Sequence, residues 1–180
     1  MILVYTGDGK GKTSAALGNV FRALGHGWRV LVIQFMKGDW PIVFGELKSA
    51  KRHPKLTIVQ MGQGFVKIMG DKKPLSKHKS AAASALEFAK KKILSGKYDL
   101  VVLDEVLYAL ETANVQLVSA PKLLQIMKIK PKKTHLILTG RINDLKIRKQ
   151  ITRVADLVTE MKEIKHPYQK GISAQKGIDY

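Results

Sequence analysis

The chain has 180 residues, of which 45% are hydrophobic and 26% are charged, a composition that suits one soluble domain with a substantial core. Lysine and arginine number 32 against 14 acidic residues, so the formal net charge of +18 should attract anions such as nucleotides, nucleic acid or acidic proteins. The absence of cysteine excludes disulfides, thiolate metal sites and a cysteine nucleophile.

The first stretch of the chain predicts a strand, a glycine-rich turn and a helix, in that order. Apolar residues 2–5 precede the turn, and residues 15–24 have the character of a helix. The turn between them reads Thr6-Gly7-Asp8-Gly9-Lys10-Gly11-Lys12-Thr13. Its glycines let the backbone aim N–H groups inward, and the new helix adds the unpaired N–H groups of its first turn. Lys12 supplies a positive charge and the Thr13 hydroxyl can bind Mg²⁺, so we predict a phosphate-binding loop, with Thr6 where glycine is usual.

The rest of the chain alternates predicted strands and helices. Strands are predicted at residues 28–35, 56–61, 99–105, 135–141 (including the exit loop of this strand) and 156–164. Helices are predicted at residues 79–94 and 143–154, and a further helix is predicted to begin with Ser119 as its N-cap. Residues 36–45 and 62–77 are predicted loops. This order predicts an α/β fold in one domain, residues 1–180: a doubly wound, mainly parallel sheet of about six strands with a P-loop (RecA-like) nucleotide-binding topology. Ligands of such sheets bind at the carboxyl ends of the strands.

Asp104 and Glu105 close a predicted buried strand, where the acidic partner of a phosphate-binding loop holds Mg²⁺. Both acids could serve the metal, or Asp104 could hold the metal while Glu105 activates a hydrolytic water, as in many ATPases. A third interpretation makes Glu105 a helix cap. Arg141, after the fifth strand, could bind phosphate through two hydrogen bonds or form a structural ion pair.

Two aromatic residues and two histidines lie outside the predicted strands. Trp40 and Phe65 belong to glycine-bearing loops, where they could either pin the loop or form a wall for a flat ligand. His26 and His166 lie in turns, so we interpret them as solvated or structural rather than catalytic.

Taken together, several segments resemble the P-loop type of corrinoid adenosyltransferase. The matching segments are residues 6–13, Arg22 with 25–27, 34–38, 45–46, 64–65, 103–105 with Tyr108, 139–141 and the closing residues 165–168, 171–172 and 174–180. The resemblance spans essentially the whole chain. It implies transfer of the 5′-deoxyadenosyl group of ATP to the Co(I) of a reduced corrinoid, with release of triphosphate.

The resemblance also implies the residues and cofactors of the site. ATP is expected on Gly7, Asp8, Gly9, Lys10, Gly11, Lys12, Thr13 and Arg141, Mg²⁺ or Mn²⁺ on Thr13, Asp104 and Glu105, and the corrinoid against Phe65 and Trp40. Lys12, Thr13 and Glu105 are the expected catalytic residues. Because Co(I) is itself a powerful nucleophile, no protein base is needed, and on this reading both acids serve the metal. Residues 165–180 are expected to pack near the site.

Three departures from the family pattern stand out. Lys67 takes the place of a tryptophan two residues after the loop phenylalanine, and aromatics in that loop are thought to help remove the lower axial ligand of the corrinoid. Family members usually carry a segment before the first strand, so we expect the region that it covers to be uncovered here. The loop that carries Trp40 looks slightly longer than usual.

The expected partners follow from the resemblance and the charge. A homodimer and an acidic electron-transfer protein such as a flavodoxin are expected partners. A cytoplasmic location without membrane contact is expected because no signal peptide precedes the turn and no apolar run approaches membrane-spanning length. The alternative function is a P-loop ATPase acting on nucleic acid, motivated by the net charge and the paired acids. The sequence shows no basic stripe interleaved with aromatics of the kind that stacks bases, which argues against it. A nucleotide-binding regulator without turnover is a third possibility.

Overall fold

The computed structural model describes residues 1–38, 43–68, 70–112 and 115–180. Its strands are β1 (Ile2–Thr6), β2 (Val30–Gln34), β3 (Leu56–Gln60), β4 (Leu100–Asp104), β5 (His135–Thr139) and β6 (Leu157–Glu160). Its helices are α1 (Lys12–Gly25), α2 (Gly45–Ala50), α3 (Leu75–Leu94), α4 (Ala120–Ile129) and α5 (Leu145–Val154). Short 3₁₀ turns lie at Tyr108–Leu110 and Pro167–Lys170.

The six strands form one sheet in the order β3-β2-β4-β5-β1-β6, and each neighbouring pair is parallel. Alternate residues of a strand point to opposite faces, so each buried strand contributes to two apolar layers. Leu31 and Ile33 pack on the side of α3, α4 and α5. Val30 and Val32 pack on the side of α1. The predicted α/β fold, with a parallel sheet of about six strands and helices on both faces, is confirmed.

Several element boundaries differ from the prediction. Helix α2 lies within a segment with no predicted element; none of its residues is buried, so it has no apolar face for the sequence pattern to reveal. Helix α3 begins at Leu75 because Pro74 occupies its N-cap with an extended backbone, which proline adopts readily before a helix. Strand β6 ends at Glu160 rather than at the predicted residue 164, because its partner β1 ends at Thr6, the residue that pairs with Glu160.

Two helix N-caps show why residue type alone does not determine capping. Ser119 holds the predicted N-cap position of α4, but its hydroxyl makes no capping hydrogen bond. Asp144 caps α5, where its Oδ1 accepts hydrogen bonds from the backbone N–H groups of Lys146 and Ile147 at 2.7 and 2.9 Å.

The parallel arrangement brings the carboxyl ends of all six strands to one edge of the sheet. Gln34 at the end of β2 pairs in register with Asp104 at the end of β4. Tyr5 of β1 pairs with Thr139 of β5 in the same way. The glycine-rich turn after β1 therefore lies at the same edge as the acidic end of β4, with β5 between the two strands. Within the described residues, no helix combines the length and the apolar character needed to cross a membrane.

Candidate active site

The glycine-rich turn joins β1 to α1 and packs against the chain that leaves β6. Gly7 has a φ of 97°, and a Cβ atom there would lie 2.3 Å from the carbonyl oxygen of Met161. The Gly9 N–H donates a 2.8 Å hydrogen bond to the same carbonyl. A side chain at Gly7 would both strain the backbone and push the turn away from this support. The close contact with the chain after β6 explains why the turn needs glycine.

Lys12 lies at the centre of this turn. Its ammonium donates hydrogen bonds of 2.8 and 2.7 Å to the carbonyl oxygens of Gly7 and Gly9, and the residue is only 7% exposed. Burial lowers the pKa of the Lys12 ammonium, and the nearby Glu105 carboxyl opposes that shift. The ammonium is therefore held where the phosphates of a nucleotide would enter, bound to two neutral acceptors that phosphate oxygens can replace.

Asp104 connects the turn to two strands. Its carboxylate is 1% exposed, and its Oδ1 accepts hydrogen bonds from the hydroxyls of Thr13 at 2.8 Å and Thr139 at 2.7 Å. The Thr139 hydroxyl oxygen also accepts a 2.9 Å hydrogen bond from the Glu105 N–H. These bonds fix the Thr13 hydroxyl relative to the end of β4. Asp104 thus lies behind Thr13, deeper than the cavity wall.

Glu105 turns away from β4 and lines the cavity. Its φ of 61° is in the left-handed region, which is uncommon for a residue with a side chain and is often found at functional sites. Burial raises the pKa of its carboxyl to about 7, and repulsion from Asp104 adds to the effect. The N-cap of the following 3₁₀ turn is Leu107, which argues against the capping interpretation of Glu105.

A second polar network, which was not among the predicted site residues, lies beside Asp104. The Lys37 ammonium is 3.1 Å from Glu46 Oε1 and 3.5 Å from Asp104 Oδ2, and it stands 4.3 Å from the centroid of the Phe44 ring. Gln34 Nε2 donates a 3.0 Å hydrogen bond to the same oxygen of Glu46. Lys37 therefore joins the helix α2 to the end of β4.

The network stabilises the charged form of the Glu46 carboxyl. Burial alone would raise its pKa, but the Lys37 ammonium and the hydrogen bond from Gln34 together hold the pKa below its ordinary value. Gln34 was expected at this edge because it ends a predicted strand, and Lys37 lies in the family-matching segment 34–38, but neither was assigned a role in the site. Glu46 lies in the segment 45–46 that matches the family, but no role could be assigned to it because α2 was not predicted.

One cavity of about 810 Å³ is lined by Lys12, Lys37, Glu46 and Glu105 among these groups. Residues 10–14 form one wall, and Phe65, Ile68 and Tyr108 line another part. The Phe65 and Tyr108 rings meet edge to face, with their centroids 5.4 Å apart. His166 and residues 177–180 of the C-terminal segment also line the cavity. Trp40, predicted to contact the ligand, lies outside the described residues.

Two basic side chains border the same cavity. The Arg141 guanidinium donates a 3.1 Å hydrogen bond to the carbonyl oxygen of Asp8 and lies 3.9 Å from its carboxylate. Lys10 forms an ion pair with Asp179 of the C-terminal segment. Arg141 is about half exposed, so it can exchange its Asp8 contacts for an anionic ligand. The structure brings every predicted site residue except the undescribed Trp40 to this edge of the sheet.

The available donors suit a magnesium ion that is bound in part by its substrate. Among the described residues, no three His, Asp or Glu side chains are grouped closely enough to hold a metal by themselves. The Thr13 hydroxyl and the carboxylates of Asp104 and Glu105 are hard oxygen donors. Mg²⁺ characteristically takes one or two protein ligands and completes its shell with phosphate oxygens and water. The site fits that pattern.

Comparison with known proteins identifies the family. The model of the family "ATP:corrinoid adenosyltransferase BtuR/CobO/CobP" matches residues 1–180. The chain therefore belongs to the ATP:corrinoid adenosyltransferase family. It is 35% identical over 182 residues to the corrinoid adenosyltransferase of Sinorhizobium sp, an alignment that covers 100% of this chain and 80% of that protein. It is 34% identical to the Escherichia coli K12 corrinoid adenosyltransferase, with coverage of 100% and 85%.

A solved structure supports the fold alone. The chain is similar to the flagellar accessory protein FlaH from Methanocaldococcus jannaschii, with a TM-score of 0.57 and 12% sequence identity. The match covers 88% of this chain and 69% of that one. The resemblance found in the sequence is confirmed, and membership of an adenosyltransferase family does not favour the ATPase alternative.

Proposed function

We propose that this member of the adenosyltransferase family binds ATP by its triphosphate in the turn of residues 7–13 and presents C5′ of the ribose to a corrinoid beside Phe65. The observation that carries the proposal is that one cavity is lined by the phosphate-binding turn at one side and by Phe65 and Tyr108 at another. A single cavity with both surfaces suits a reaction that joins two bound substrates.

The reaction forms one bond and breaks one bond. The electron pair of Co(I) forms the cobalt–carbon bond to C5′, while the C5′–oxygen bond breaks and triphosphate leaves with that electron pair. No proton is transferred in this step, so the protein needs no general base. Its task is to hold the reacting atoms in line and to stabilise the departing negative charge.

The turn and its neighbours provide that stabilisation. Lys12 exchanges its two carbonyl partners for phosphate oxygens, and the backbone N–H groups of residues 10–13 are proposed to bind the same anion, while the Gly9 N–H stays with the Met161 carbonyl. Arg141 adds a second cation that can form two hydrogen bonds. Asp8 and Lys10 belong to the turn itself and set the position of its rim. These roles share one physical basis, the charge of a triphosphate that increases as it leaves.

Thr13, Asp104 and Glu105 are proposed to hold Mg²⁺ or Mn²⁺, with Thr13 as a direct ligand. When bound, the ion supplies charge stabilisation of several kcal/mol to the phosphate oxygens. Asp104 accepts a hydrogen bond from the Thr13 hydroxyl and so orients its lone pairs. The elevated pKa of Glu105, about 7, is what a carboxylate awaiting a cation would show.

Phe65 is proposed to pack on one face of the corrinoid, held in place by its edge-to-face contact with Tyr108. Trp40 is proposed as a second contact on the grounds of sequence alone. We also propose a homodimer in the cytoplasm and an acidic electron-transfer protein as the source of reducing equivalents. The net charge of +18 supports the last of these, since opposite charges speed encounter between proteins.

Product analysis tests the proposal. ATP, Mg²⁺ and chemically reduced cobalamin are incubated with the wild-type protein and with Lys12→Ala. The expected products are triphosphate and a light-sensitive cobalt–carbon compound, formed by the wild type and lost in the variant. ADP with phosphate would instead support the ATPase alternative. Full activity of Lys12→Ala at saturating ATP would contradict the role of the turn.

A further inference from the structure

The segment that carries Phe65 lies between β3 and α3, and we call its described part, residues 62–68 and 70–74, the aromatic loop. It is long, and none of it belongs to a helix or strand. Yet it must hold the Phe65 ring against Tyr108 and place Ile68 in the cavity wall. Something other than regular secondary structure has to fix its course.

Asp71 provides the contacts that do this. Its Oδ2 accepts a 3.0 Å hydrogen bond from the Lys67 N–H, and its Oδ1 accepts a 3.3 Å hydrogen bond from the Lys73 N–H. The Asp71 N–H donates to the carbonyl oxygen of Ile68 at 3.2 Å. One side chain thus closes the loop on itself on both sides. The hydrogen bond from the Lys67 N–H, followed by the bond from the Lys73 N–H and the contact with His78, holds the pKa of the Asp71 carboxyl below its ordinary value.

His78 connects Asp71 to the rest of the fold. It lies in the first turns of α3, is 2% exposed, and its Nε2 is 3.0 Å from Asp71 Oδ2. A polar ring so deeply buried needs a partner, because an unpaired polar group in the interior is costly. The partner available here is the carboxylate on which the aromatic loop is folded.

We infer that the Asp71–His78 pair positions the aromatic loop for the corrinoid. The pair fixes the left-handed turn at Lys67, whose φ is 55°, and that turn lies between Phe65 and Ile68, the two cavity-lining side chains of the loop. Asp71 and His78 are positioning residues, since they act through the loop. The inference rests on the proposed function, because it assigns the corrinoid to the Phe65 side of the cavity.

The consequence is selective for one substrate. The phosphate-binding turn is supported by β1, α1 and the chain after β6, and none of those contacts passes through Asp71. Loss of the pair should therefore loosen the corrinoid side of the cavity and leave the ATP side in place. A residue that served only general stability would affect both substrates together.

The experiment uses the full chain with three variants and one control. His78→Leu removes the partner of Asp71 and puts an apolar side chain of similar size in its place. His78→Gln retains an N–H donor, and Asp71→Asn keeps the shape of the loop acceptor but removes its charge. His53→Leu, at an exposed position after α2, is the matched control. Amide hydrogen exchange is measured without substrates, and KM values are measured with ATP and chemically reduced cobalamin.

In His78→Leu and Asp71→Asn we expect faster hydrogen exchange at the amides of Lys67 and Lys73. We expect the KM for cobalamin to rise on the order of tenfold, while the KM for ATP changes less than about twofold. His78→Gln should recover much of the cobalamin KM, and His53→Leu should match the wild type. Unchanged exchange at Lys67, or equal rises in both KM values, would overturn the inference. A wild type that forms no cobalt–carbon product would overturn the proposed function instead. The two failures can be told apart because hydrogen exchange is measured without substrates and does not depend on activity.

Discussion

Replacement of Lys37 by methionine tests the network that joins α2 to β4. The ammonium lies 3.1 Å from Glu46 and 3.5 Å from Asp104, and the side chains of Lys37 and Glu46 are each 13% exposed. Removing one partner of a buried ion pair costs about 3–5 kcal/mol, because the other charge is left behind. Glu46 keeps its hydrogen bond from Gln34, so we expect the lower end, about 3 kcal/mol. For a domain of this size that corresponds to a fall in Tm of about 6–12 °C.

The pH dependence separates this cause from general loss of packing. The pKa of the Glu46 carboxyl is lowered in the folded protein, so its ion pair contributes stability above its ordinary pKa of 4.5 and loses it as the pH falls through the folded value. The difference in Tm between wild type and Lys37→Met should be full at neutral pH and smaller at about pH 3.5.

Thermal unfolding is followed by circular dichroism at both pH values. Lys48→Met, at an exposed position of α2, controls for the loss of one positive charge from a chain of net charge +18. A fall in Tm below about 2 °C at neutral pH relative to this control, or a difference that does not change with pH, would refute the reasoning.

Three further predictions concern the cavity and its surroundings. Glu105→Gln should slow transfer, and raised Mg²⁺ or Mn²⁺ should restore part of the rate; a flat metal response in the rate assay would favour a base instead. Lys67→Trp should improve the reaction from Co(II) with a mild protein reductant while leaving the reaction from Co(I) unchanged, and Phe65→Ala should weaken both, as compared in parallel rate assays. Gly140→Ala should destabilise the fold by about 2–3 kcal/mol in denaturant unfolding, since a Cβ atom there lies 2.5 Å from a backbone nitrogen at a φ of 129°. Gly18→Ala, with no atom within 4 Å of the new methyl, should be neutral or stabilising.

The parts of the site that follow from local pattern were predictable. Glycine spacing before a helix predicted the turn around Lys12, and the rule that parallel strands end at one edge predicted that Asp104 and Arg141 would lie near it. Both rules depend on backbone geometry that a few residues determine. The register of the strands, which pairs Gln34 with Asp104, then brings these side chains within hydrogen-bonding distance of each other.

The parts that depend on contacts between distant segments were not predictable. The Lys37–Glu46 pair needs α2, which has no apolar face to reveal it. Asp71 and His78 are polar residues in a region predicted to be mainly loop. Only the fold shows that His78 is 2% exposed and that its ring contacts the Asp71 carboxylate. The ion pair between Lys10 and Asp179 joins the two ends of the chain. The family resemblance led us to expect residues 165–180 near the site, but no periodicity in them indicates that Asp179 pairs with Lys10.

The distribution of charge leads to a last prediction. Among the residues that the structure describes, four basic and five acidic side chains line the cavity, so the site itself carries no positive excess although the net charge of the chain is +18. Affinity for ATP should then come from short contacts in the turn and from the metal, which salt screens weakly, rather than from the surface field. We expect the Kd for ATP with Mg²⁺, measured by calorimetry, to rise less than about threefold between 50 and 200 mM salt. A nucleic-acid ligand held by six to ten phosphate contacts would instead lose about 10³–10⁵ in affinity over this range. A tenfold loss for ATP would show that the basic outer surface, and not the geometry of the turn, dominates nucleotide binding.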